Sequence, residues 1–472
     1  VFGGEDVDPD GANAAAGGDA QREYRRLSFW HDTVPDDLSP RSALAGDLDV
    51  DVAIVGGGLT GLWTAWYLLE RDPKLRIAIL EKEIVGFGAS GRNGGWCSAL
   101  FPRSTASLER THGRDAAVAM RRAMVQTVDE VGRVAASADI DIDYAKGGTI
   151  AFARSTVQLE AAREEVEEAQ RYGVDETELW GIHRVKAAGA LGASYDPACA
   201  RIHPAKLVRG LARSLEKRGV TIFEQTEVLD YAPRTVFTSG GTVRAENVVI
   251  ATEGYGATLR ATRRRVLPLY SLMIASEPMT DAAWDEIGIA HGQTFTDYRH
   301  LLVYGQRTAD NRFAFGGRGA RYHWGSAIKP EYDRVRGVFD HLRATLRDFF
   351  PSIGDLGVTH TWGGPLGVPR DWHATASYDR AQGMAWAGGY VGDGLSTTNL
   401  AGRTLADLIT GTDTELVRLP WVNHSSPSWE PEPLRFLGAN AGLLAMTVAD
   451  TEERITKRPS LAAKLMGPLV GH

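Results

Sequence analysis

One short turn constrains the fold of this chain more than any other feature. Gly56, Gly58 and Gly61 form the spacing G-x-G-x-x-G. An apolar, β-branched segment, Val50–Val55, precedes them, and a helix-forming segment, about Leu59–Arg71, follows. Such a turn allows a tight backbone bend, close approach of a pyrophosphate to the main chain, and close packing of helix on strand. The pattern predicts a βαβ unit that binds a phosphate at the helix N-terminus.

An acidic residue completes this signature. Glu81 ends the next predicted strand, Arg76–Leu80, about 20 residues beyond the last glycine, where a carboxylate meets the ribose hydroxyls of a dinucleotide. A carboxylate there also argues against a ribose 2′-phosphate, and hence against NADP. Dinucleotide binding is therefore predicted, with a packing role for the glycines as the alternative.

Composition limits the class of protein. Hydrophobic residues make up 43% and charged residues 24%, which excludes wholesale disorder, collagen and coiled coil. The net charge of −8, without a basic block, makes nucleic acid or an anionic membrane a poor partner. Cys97 and Cys199 cannot form a disulfide framework, and the histidines show no ligand spacing, so no metal is predicted.

Targeting signals are not evident. The first twenty residues lack the basic start and apolar core of a signal peptide and predict a flexible tail. The uncharged run Val52–Leu69 approaches the length of a membrane-spanning helix, but its glycines favour strand, turn and helix. We expect a soluble protein, and the cysteine content fits the cytoplasm.

A second glycine-rich run, Gly86–Gly95 (G-F-G-A-S-G-R-N-G-G), follows almost at once. With it the chain resembles the FAD-dependent amine and amino-acid oxidases of the D-amino-acid oxidase superfamily, particularly the gamma-glutamylputrescine oxidase and glycine/sarcosine oxidase branches. Segments 201–228, 247–254 and 388–394 resemble the family in the same order. Glu253 departs from the family pattern, in which glycine directly follows Ala-Thr.

The resemblance implies FAD, bound non-covalently. The residues expected to bind it are Gly56, Gly58, Leu59, Thr60, Gly61, Glu81, Lys82, Gly88, Ala89, Ser90, Arg92, Asn93, Gly94, Gly95, Val228, Thr252, Gly254, Gly392, Gly394, Leu395 and Ser396. Backbone N–H groups at the start of the last of these segments are expected to stabilise negative charge on the reduced flavin. Because Cys97 follows closely after this second run, a thioether link to the flavin is an alternative.

The resemblance also implies oxidation of a C–N bond in a small primary or secondary amine or amino acid. Hydride would pass to flavin N5, the imine would hydrolyse, and O₂ would reoxidise the flavin with release of H₂O₂. An aromatic, partly apolar pocket would favour the neutral amine by desolvation. Residues expected to act on the substrate are Trp362, Arg318, Tyr298 and His300, and further pocket candidates are Arg299, Tyr304, Tyr322, His323, Trp324, Arg370 and Trp372.

Each of these pocket residues has a second interpretation. An arginine could hold a substrate carboxylate or phosphonate in a bidentate pair, or it could form an ordinary salt bridge. A tryptophan could line the pocket or pack in the core. Three other functions also stay open: a dehydrogenase with a different electron acceptor, an NAD(P)H-dependent flavin monooxygenase, and a non-catalytic nucleotide-binding module. The amine substrate and the oligomeric state are left open.

We predict an α/β protein with a discontinuous Rossmann-type FAD-binding lobe and a second substrate lobe built on a mixed or antiparallel sheet. The predicted ranges are 1–44 for the tail and lead-in, 45–100, 195–262 and 352–415 for the FAD-binding lobe, 101–194 and 263–351 for the substrate lobe, and 416–472 for a C-terminal extension. Further predicted helices cover 114–137, 155–173, 204–218 and 434–454. Further predicted strands cover 220–224, 247–251, 266–276, 299–306, 312–318 and 384–391.

Overall fold

A computed structural model describes residues 21–174, 176–318 and 321–463. The predicted N-terminal tail, 1–20, and the end of the predicted C-terminal extension, 464–472, lie outside the described residues. The strands are β1 Leu48–Val55, β2 Ile77–Leu80, β3 Trp96–Ser98, β4 Thr149–Ala153, β5 Glu178–Gly181, β6 Gly192–Asp196, β7 Cys199–Arg201, β8 Thr221–Phe223, β9 Val228–Ala232, β10 Thr235–Thr238, β11 Gly241–Ile250, β12 Leu267–Ser276, β13 Thr294–Asp297, β14 Val303–Arg307, β15 Phe313–Arg318, β16 Val358–Val368, β17 Thr375–Asp379 and β18 Met384–Gly388. The helices are α1 Phe29–Thr33, α2 Leu59–Arg71, α3 Thr105–His112, α4 Arg114–Ser137, α5 Thr156–Tyr172, α6 Pro204–Lys217, α7 Asp281–Ile287, α8 Arg336–Phe349, α9 Gly394–Thr410 and α10 Leu434–Thr456.

The first sheet, which we name the nucleotide sheet, has the order β17-β18-β11-β1-β2-β8. Strands β18, β11, β1, β2 and β8 run parallel, and β17 and the β9–β10 hairpin add antiparallel pairs. The carboxyl half of β1 is fully buried, as expected for a parallel strand covered on both faces. Apolar residues of α2, α4, α6 and α9 pack in one cluster on one face of this sheet.

The second sheet, which we name the substrate sheet, has the order β16-β12-β15-β14-β13-β4-β6-β5. Its neighbours pair antiparallel except β13 and β4, which are parallel. One face packs with α7 and α8 in a second core that includes Tyr270, Leu272 and Phe315. The alternate residues of the same strands face the other way, because side chains in a strand alternate between the two faces of the sheet.

The predicted lobe ranges differ from the sheets at one place. Strand β16 pairs with β12 along its length, although the predicted boundary at 352 assigns it to the FAD-binding lobe. The chain therefore crosses to the nucleotide sheet after Val368 rather than at 352. The other predicted ranges stay predictions.

Most predicted elements are present with small shifts. The helix at 114–137 has the predicted bounds, and those at 155–173, 204–218 and 434–454 shift by one or two residues at an end. The predicted strand at 384–391 stops at Gly388, because Gly389 and Gly392 have φ values of +78° and +103° and turn the chain. The predicted strand at 299–306 begins only at Val303. Within the described ranges, no helix has the length and apolarity needed to cross a bilayer.

Candidate active site

The glycine turn lies at the carboxyl end of β1, in the middle of the nucleotide sheet. Gly56 has a φ of +111°, and a Cβ on it would lie 2.6 Å from the carbonyl oxygen of Ala251. A Cβ on Gly61 would overlap the carbonyl oxygen of Gly56. The first and third glycines thus have the predicted roles of tight turn and close helix–strand packing. Gly58 is the N-cap of α2 and adds no side-chain cap of its own. The N–H of Leu59 is bound by Ser90, and the following N–H groups of the first turn suit an anion.

Glu81 lies beside this turn at the end of β2. Its carboxylate accepts hydrogen bonds from the N–H groups of Gly57, at 2.8 Å, and Glu83, at 2.9 Å. Burial raises the pKa of Glu81 to about 7, although the two backbone hydrogen bonds act in the opposite direction. The neighbouring Lys82 is 59% exposed and pairs with Glu227, directly before Val228 at the start of β9.

The second glycine run, Gly86–Gly95, is named here the flavin loop. Ser90 of this loop accepts the N–H of Leu59 at the start of α2, at 2.8 Å, so the loop and the glycine turn are joined. Arg92 is buried, and its guanidinium donates to Asp333 at 2.8 Å and to Tyr255 at 2.6 Å. The Asn93 side chain closes the loop by accepting the N–H of Gly95 at 2.8 Å.

Two tryptophans hold the carbonyl groups of the flavin loop. The Nε1–H of Trp30 donates to the carbonyl of Asn93 at 2.7 Å, and that of Trp362 donates to the carbonyl of Arg92 at 2.9 Å. Both rings are buried in a cluster with Phe29. The loop is therefore fixed by contacts from α1 and from the substrate sheet.

The residues after β11 form the next part of the site. The Oγ1 atom of Thr252 is buried and has no hydrogen-bond partner among the described residues. Glu253, the residue that departs from the family pattern, has a φ of +42° and accepts the N–H groups of Gly389 at 2.8 Å and Tyr390 at 3.3 Å. Burial raises the pKa of Glu253 to about 7. The inserted acid therefore ties this turn to the segment that precedes α9.

The N-terminus of α9 is the last of the segments expected to bind the cofactor. Asp393 is its N-cap and makes no side-chain cap hydrogen bond. Burial raises the pKa of Asp393 to about 6, and the positive charge of Arg318 opposes this rise. Arg318 reaches across from the substrate sheet and donates to the carbonyl of Val391 at 2.6 Å. Ser396 donates to the carbonyl of Ser98, just beyond the flavin loop, at 2.5 Å.

One face of the substrate sheet is directed at these segments. Ser271 pairs in register with Arg318, and Tyr304 pairs with Gly316, so Ser271, Tyr304 and Arg318 share a face. The ring of Tyr304 packs against Gly94, where a Cβ would lie 2.7 Å from it. The hydroxyls of Tyr304 and Ser271 are 2.6 Å apart. A polar sheet face thus lies against the flavin loop.

The comparison with known sequences decides the family. The family of FAD dependent oxidoreductases called DAO matches residues 51–408. The chain belongs to this family. It is an FAD-dependent oxidoreductase of the amine and amino-acid oxidase type, and FAD is its cofactor, so these predictions are confirmed.

Individual relatives support this membership in the DAO family. The chain is 30% identical over 380 residues to the probable oxidoreductase OrdL of Haemophilus influenzae, which covers 78% of this chain and 84% of the relative. It is also 30% identical over 383 residues to gamma-glutamylputrescine oxidoreductase of Escherichia coli, with 79% and 86% covered. The crystal structure of glycine oxidase from Geobacillus kaustophilus superposes with a TM-score of 0.67 at 22% identity, over 80% of this chain and 99% of that one. At this identity the structural likeness shows the fold alone, and it confirms the predicted fold class.

The residues of this chain fit the cofactor of the DAO family. The N-terminus of α2, where Ser90 binds the N–H of Leu59 and Gly58 adds no side chain, suits a pyrophosphate, and the Glu81 carboxylate suits hydroxyl donors. The Oγ1 atom of Thr252, in the turn after β11, has no hydrogen-bond partner among the described residues and is therefore available to the cofactor. Binding of FAD by each individual residue stays a prediction, including the backbone contacts expected of Thr60, Gly88, Ala89, Gly254, Gly394 and Leu395.

The four residues expected to act on the substrate separate into two pairs. Arg318 and Trp362 contact the FAD-binding segments, as described above. Tyr298 instead hydrogen bonds to Glu165 and, at 2.7 Å, to Ser194. His300 lies 3.1 Å from Glu453 of α10. Trp362 is 1% exposed, so it supports the flavin loop from behind.

The other pocket candidates, apart from Tyr304, make contacts away from the flavin loop. Arg299 pairs with Asp297 at 2.6 Å, and Arg370 pairs with Glu430 at 3.0 Å. Tyr322 donates to Glu432 at 2.7 Å. The remaining candidates lie in loops: His323 stacks on Tyr332, Trp324 is 57% exposed beside Phe436, and Trp372 has a φ of +58°.

Sequence reasoning missed some residues of the site. Ser271 lies in the middle of the largely apolar strand β12, and Trp96 follows the last glycine of the flavin loop. The Nε1–H of Trp96 donates to Gly305 at 3.2 Å, and its ring meets Tyr304 edge-on at 6.1 Å. A polar residue inside an apolar strand is the signal that could have identified Ser271.

The described ranges contain no group of side chains suited to bind a metal ion. No cluster of three or more His, Cys, Asp or Glu side chains there could hold a metal ion. Cys97 and Cys199 are buried free thiols, and burial raises the pKa of each. A thioether link between Cys97 and flavin stays untested.

Proposed function

We propose that this FAD-dependent oxidoreductase oxidises a C–N bond of a small primary or secondary amine or amino acid, with O₂ as electron acceptor and H₂O₂ as product. Relatives whose names carry such activities support the proposal. They include gamma-glutamylputrescine oxidoreductase, the glycine oxidase of Geobacillus kaustophilus, and the sarcosine oxidase subunit beta of Arthrobacter.

One observation carries the proposal. The polar face formed by Ser271, Tyr304 and Arg318 lies between the flavin loop and the turn before α9, which are the segments expected to hold the flavin ring. A substrate bound on this face would have its carbon–nitrogen bond beside the ring. The aromatic rings of Tyr304 and Trp96 provide an apolar surface that favours a neutral amine over an ammonium.

The proposed reaction moves two electrons from the amine to O₂. The amine loses a hydride from its α-carbon and a proton from its nitrogen, and water hydrolyses the resulting imine to a carbonyl compound and an amine or ammonia. FAD, when bound, would supply the two-electron acceptor, and O₂ with two protons would take up these electrons as H₂O₂. The chain itself orients the amine, excludes water and, through the N-terminus of α9, stabilises negative charge.

Arg318 gives the site a preference among amines. Its guanidinium spends one N–H on the carbonyl of Val391, and a planar guanidinium has five N–H donors. The others suit a carboxylate or phosphonate on the substrate in a bidentate pair. We therefore propose an amino acid rather than an unsubstituted alkylamine as the preferred substrate.

The cellular compartment and the electron acceptor are also part of this proposal. The free thiols Cys97 and Cys199 support the cytoplasm as the compartment. A dehydrogenase with a different acceptor is the second candidate, and it is favoured by a 24% identical relative over 426 residues, the D-amino acid dehydrogenase of Neisseria meningitidis. Reoxidation of the reduced enzyme by O₂ separates the two.

The test is an anaerobic screen of the holoenzyme with primary and secondary amines and amino acids, followed by mixing with O₂. We expect an amino acid to bleach the oxidised-flavin absorption and O₂ to restore it rapidly with stoichiometric H₂O₂. Slow reoxidation by O₂ but fast reoxidation by a quinone would show a dehydrogenase. Bleaching by NADPH alone would contradict the proposal. Failure of every amine and amino acid to bleach the flavin absorption would contradict it as well.

A matched pair of variants tests the role of the arginine. Arg318→Met should raise KM for the amino acid by ten-fold or more, with a smaller effect on amines that lack a carboxylate. Arg299→Met is the control, because Arg299 also lies at the substrate sheet but pairs with Asp297. Equal effects of the two substitutions would contradict the assignment.

A further inference from the structure

A cavity of about 340 Å³ lies next to the flavin loop. Three of its lining residues hold the backbone of that loop. Trp30 donates to the carbonyl of Asn93 at 2.7 Å, Gln306 Nε2 donates to that of Gly94 at 2.6 Å, and the N–H of Ile202 donates to that of Gly95 at 2.9 Å. The wall of the cavity is thus also the support of the loop.

A buried cation without a carboxylate partner lines this cavity. Arg201 is 3% exposed, and its guanidinium donates to the carbonyl of Asp143 at 2.6 Å and lies 3.0 Å from His291. Its Nε–H has no partner, and no carboxylate of the described chain lies within ion-pair distance of it. A buried charge is costly unless it is paired and hydrogen-bonded. Arg201 therefore has no directly paired carboxylate, and the charges of Asp143, Asp310 and Asp141 act on it only from farther away.

A buried acceptor without a donor lines the same cavity. Gln306 is fully buried, and its Oε1 atom has no hydrogen-bond partner among the described residues, while its Nε2 is used by Gly94. An amide oxygen in this position needs an N–H or O–H group. The cavity therefore presents one unused donor on a cation and one unused acceptor.

The remaining polar groups of the cavity are balanced in charge. Lys206 pairs with Asp143 at 2.7 Å, and Asp310 pairs with Arg312 at 2.7 Å. His203 is neutral, because burial lowers its pKa to about 3, and its Nε2 lies 3.0 Å from Thr33. With these groups a dianion is disfavoured, and a ligand with one carboxylate for Arg201 and one N–H donor for Gln306 is favoured.

We propose that this cavity binds a small amino carboxylate, with its carboxylate on Arg201 and its amino group on Gln306. The volume is within the range of sites for small molecules. Phe29 and Trp30 supply an apolar wall for the carbon chain of the ligand. Because Gln306 and Trp30 also hold the flavin loop, an occupied cavity changes the surroundings of the flavin.

The test uses the holoenzyme and 2-aminoisobutyrate, an amino carboxylate whose α-carbon carries no hydrogen and which therefore cannot donate a hydride. Pivalate, which lacks the amine, and tert-butylamine, which lacks the carboxylate, are the comparison probes. Binding is measured by calorimetry and by the difference spectrum of the flavin. We expect saturable binding of 2-aminoisobutyrate, at least ten-fold weaker binding of either comparison probe, and a flavin difference spectrum.

Variants distinguish this cavity from the polar face of the substrate sheet. Arg201→Met and Gln306→Leu should weaken binding of 2-aminoisobutyrate in this cavity by ten-fold or more, and Arg318→Met should leave that part of the binding unchanged, because it weakens binding on the polar face alone. Because Arg201 is buried, Ala309→Trp gives a second route: Ala309 is exposed at the rim, so a large ring there would fill the cavity without disturbing the core.

Each outcome of these binding measurements either supports or overturns the proposal. Loss of binding in Ala309→Trp, with flavin content and secondary structure retained, supports the cavity even if Arg201→Met does not fold. Loss in Arg318→Met with unchanged binding in Ala309→Trp would place the probe on the polar face of the substrate sheet and overturn the proposal. Failure of the wild-type holoenzyme to bind 2-aminoisobutyrate would also overturn it.

Discussion

At the scale of single residues, three carboxylates beside the expected FAD site share an unusual property. Burial raises the pKa of Glu81 and Glu253 to about 7 and that of Asp393 to about 6. Glu81 and Glu253 accept backbone N–H groups, whereas Asp393 makes no side-chain cap hydrogen bond and has the positive charge of Arg318 nearby. The ionised forms of Glu81 and Glu253 are therefore stabilised by hydrogen bonds, and an added donor has a large effect on them.

We expect the effect of an added hydrogen-bond donor to be largest at Glu81. Glu81→Ala should weaken FAD binding by about 10- to 100-fold, because a hydrogen bond to a charged group contributes about 1.5–3 kcal/mol. Titration of apoenzyme with FAD, followed by flavin fluorescence, measures this. Glu83→Ala is the control, since the Glu83 side chain accepts from Tyr24 rather than from the glycine turn. Equal affinities of Glu81→Ala and wild type would contradict a ribose contact.

At the scale of elements, the contact between α2 and α9 positions both helix N-termini. Gly402 of α9 lies against Trp63 of α2, where a Cβ would come within 2.6 Å of the Trp63 backbone carbon and Cβ. The two helices therefore pack more closely than any larger side chain would allow. Because α2 begins at the glycine turn and α9 begins after Asp393, this contact sets the distance between the two ends of the cofactor site.

Substitution of that glycine tests the role of the helix contact. Gly402→Ala should destabilise the protein by about 1–3 kcal/mol through overpacking and should lower FAD retention. Thermal unfolding and flavin content after gel filtration measure the two effects. Gly438→Ala is the matched control, because Gly438 lies in α10 with nothing within 4 Å of its Cβ position. That change should be neutral or slightly stabilising, as alanine is the better helix former.

At the scale of the whole molecule, the two sheets are joined through the cofactor segments themselves. Arg92 of the flavin loop pairs with Asp333, and Trp362 of the substrate sheet holds the carbonyl of Arg92. Glu253, after the central strand β11, accepts from the segment before α9 and also takes a hydrogen bond from Gly367 of β16. One carboxylate thus connects both sheets and the start of α9.

The raised pKa of Glu253 makes its contribution to stability depend on pH. The folded state holds the proton more tightly than the unfolded state, so this contribution falls as pH rises from about 4.5 to about 7, by roughly 3 kcal/mol. Glu253→Gln should remove this part of the pH dependence, because an amide does not titrate in this range. Urea unfolding from pH 4.5 to 8 measures this.

The control for that experiment is the exposed Glu331→Gln, which should keep the wild-type dependence on pH. An unchanged slope in Glu253→Gln would show that the carboxylate is already ionised throughout this range, and the pH dependence would then need another origin.

Local signals were sufficient to predict the nucleotide-binding part of the molecule. The turn at Gly56–Gly61 and the helix Leu59–Arg71 follow from glycine spacing and helix-forming residues within one short segment. The matches at 114–137 and 204–218 rest likewise on local periodicity and on end signals such as Pro204 and Gly219.

The substrate side could not be predicted in the same way. Whether Tyr304 faces the flavin loop depends on the register of β14 against β15, and of β15 against β12, and a shift of one residue reverses every side chain. Ser271 and Arg318 meet only through that register. Glu253 was recognised as a departure from the family pattern, but its partners, Gly389 and Tyr390, are distant in sequence and became visible only in the fold.

The order of strands in the nucleotide sheet has a consequence for biosynthesis. The central strand β1 leaves the ribosome early, but its neighbour β11 and the outer strand β18 follow much later, and α9 comes after them. A nascent chain therefore carries the segments expected to bind adenosine long before it carries those expected to bind the ring. We expect full capture of the cofactor to wait until translation has passed Ser396, the last residue expected to bind it.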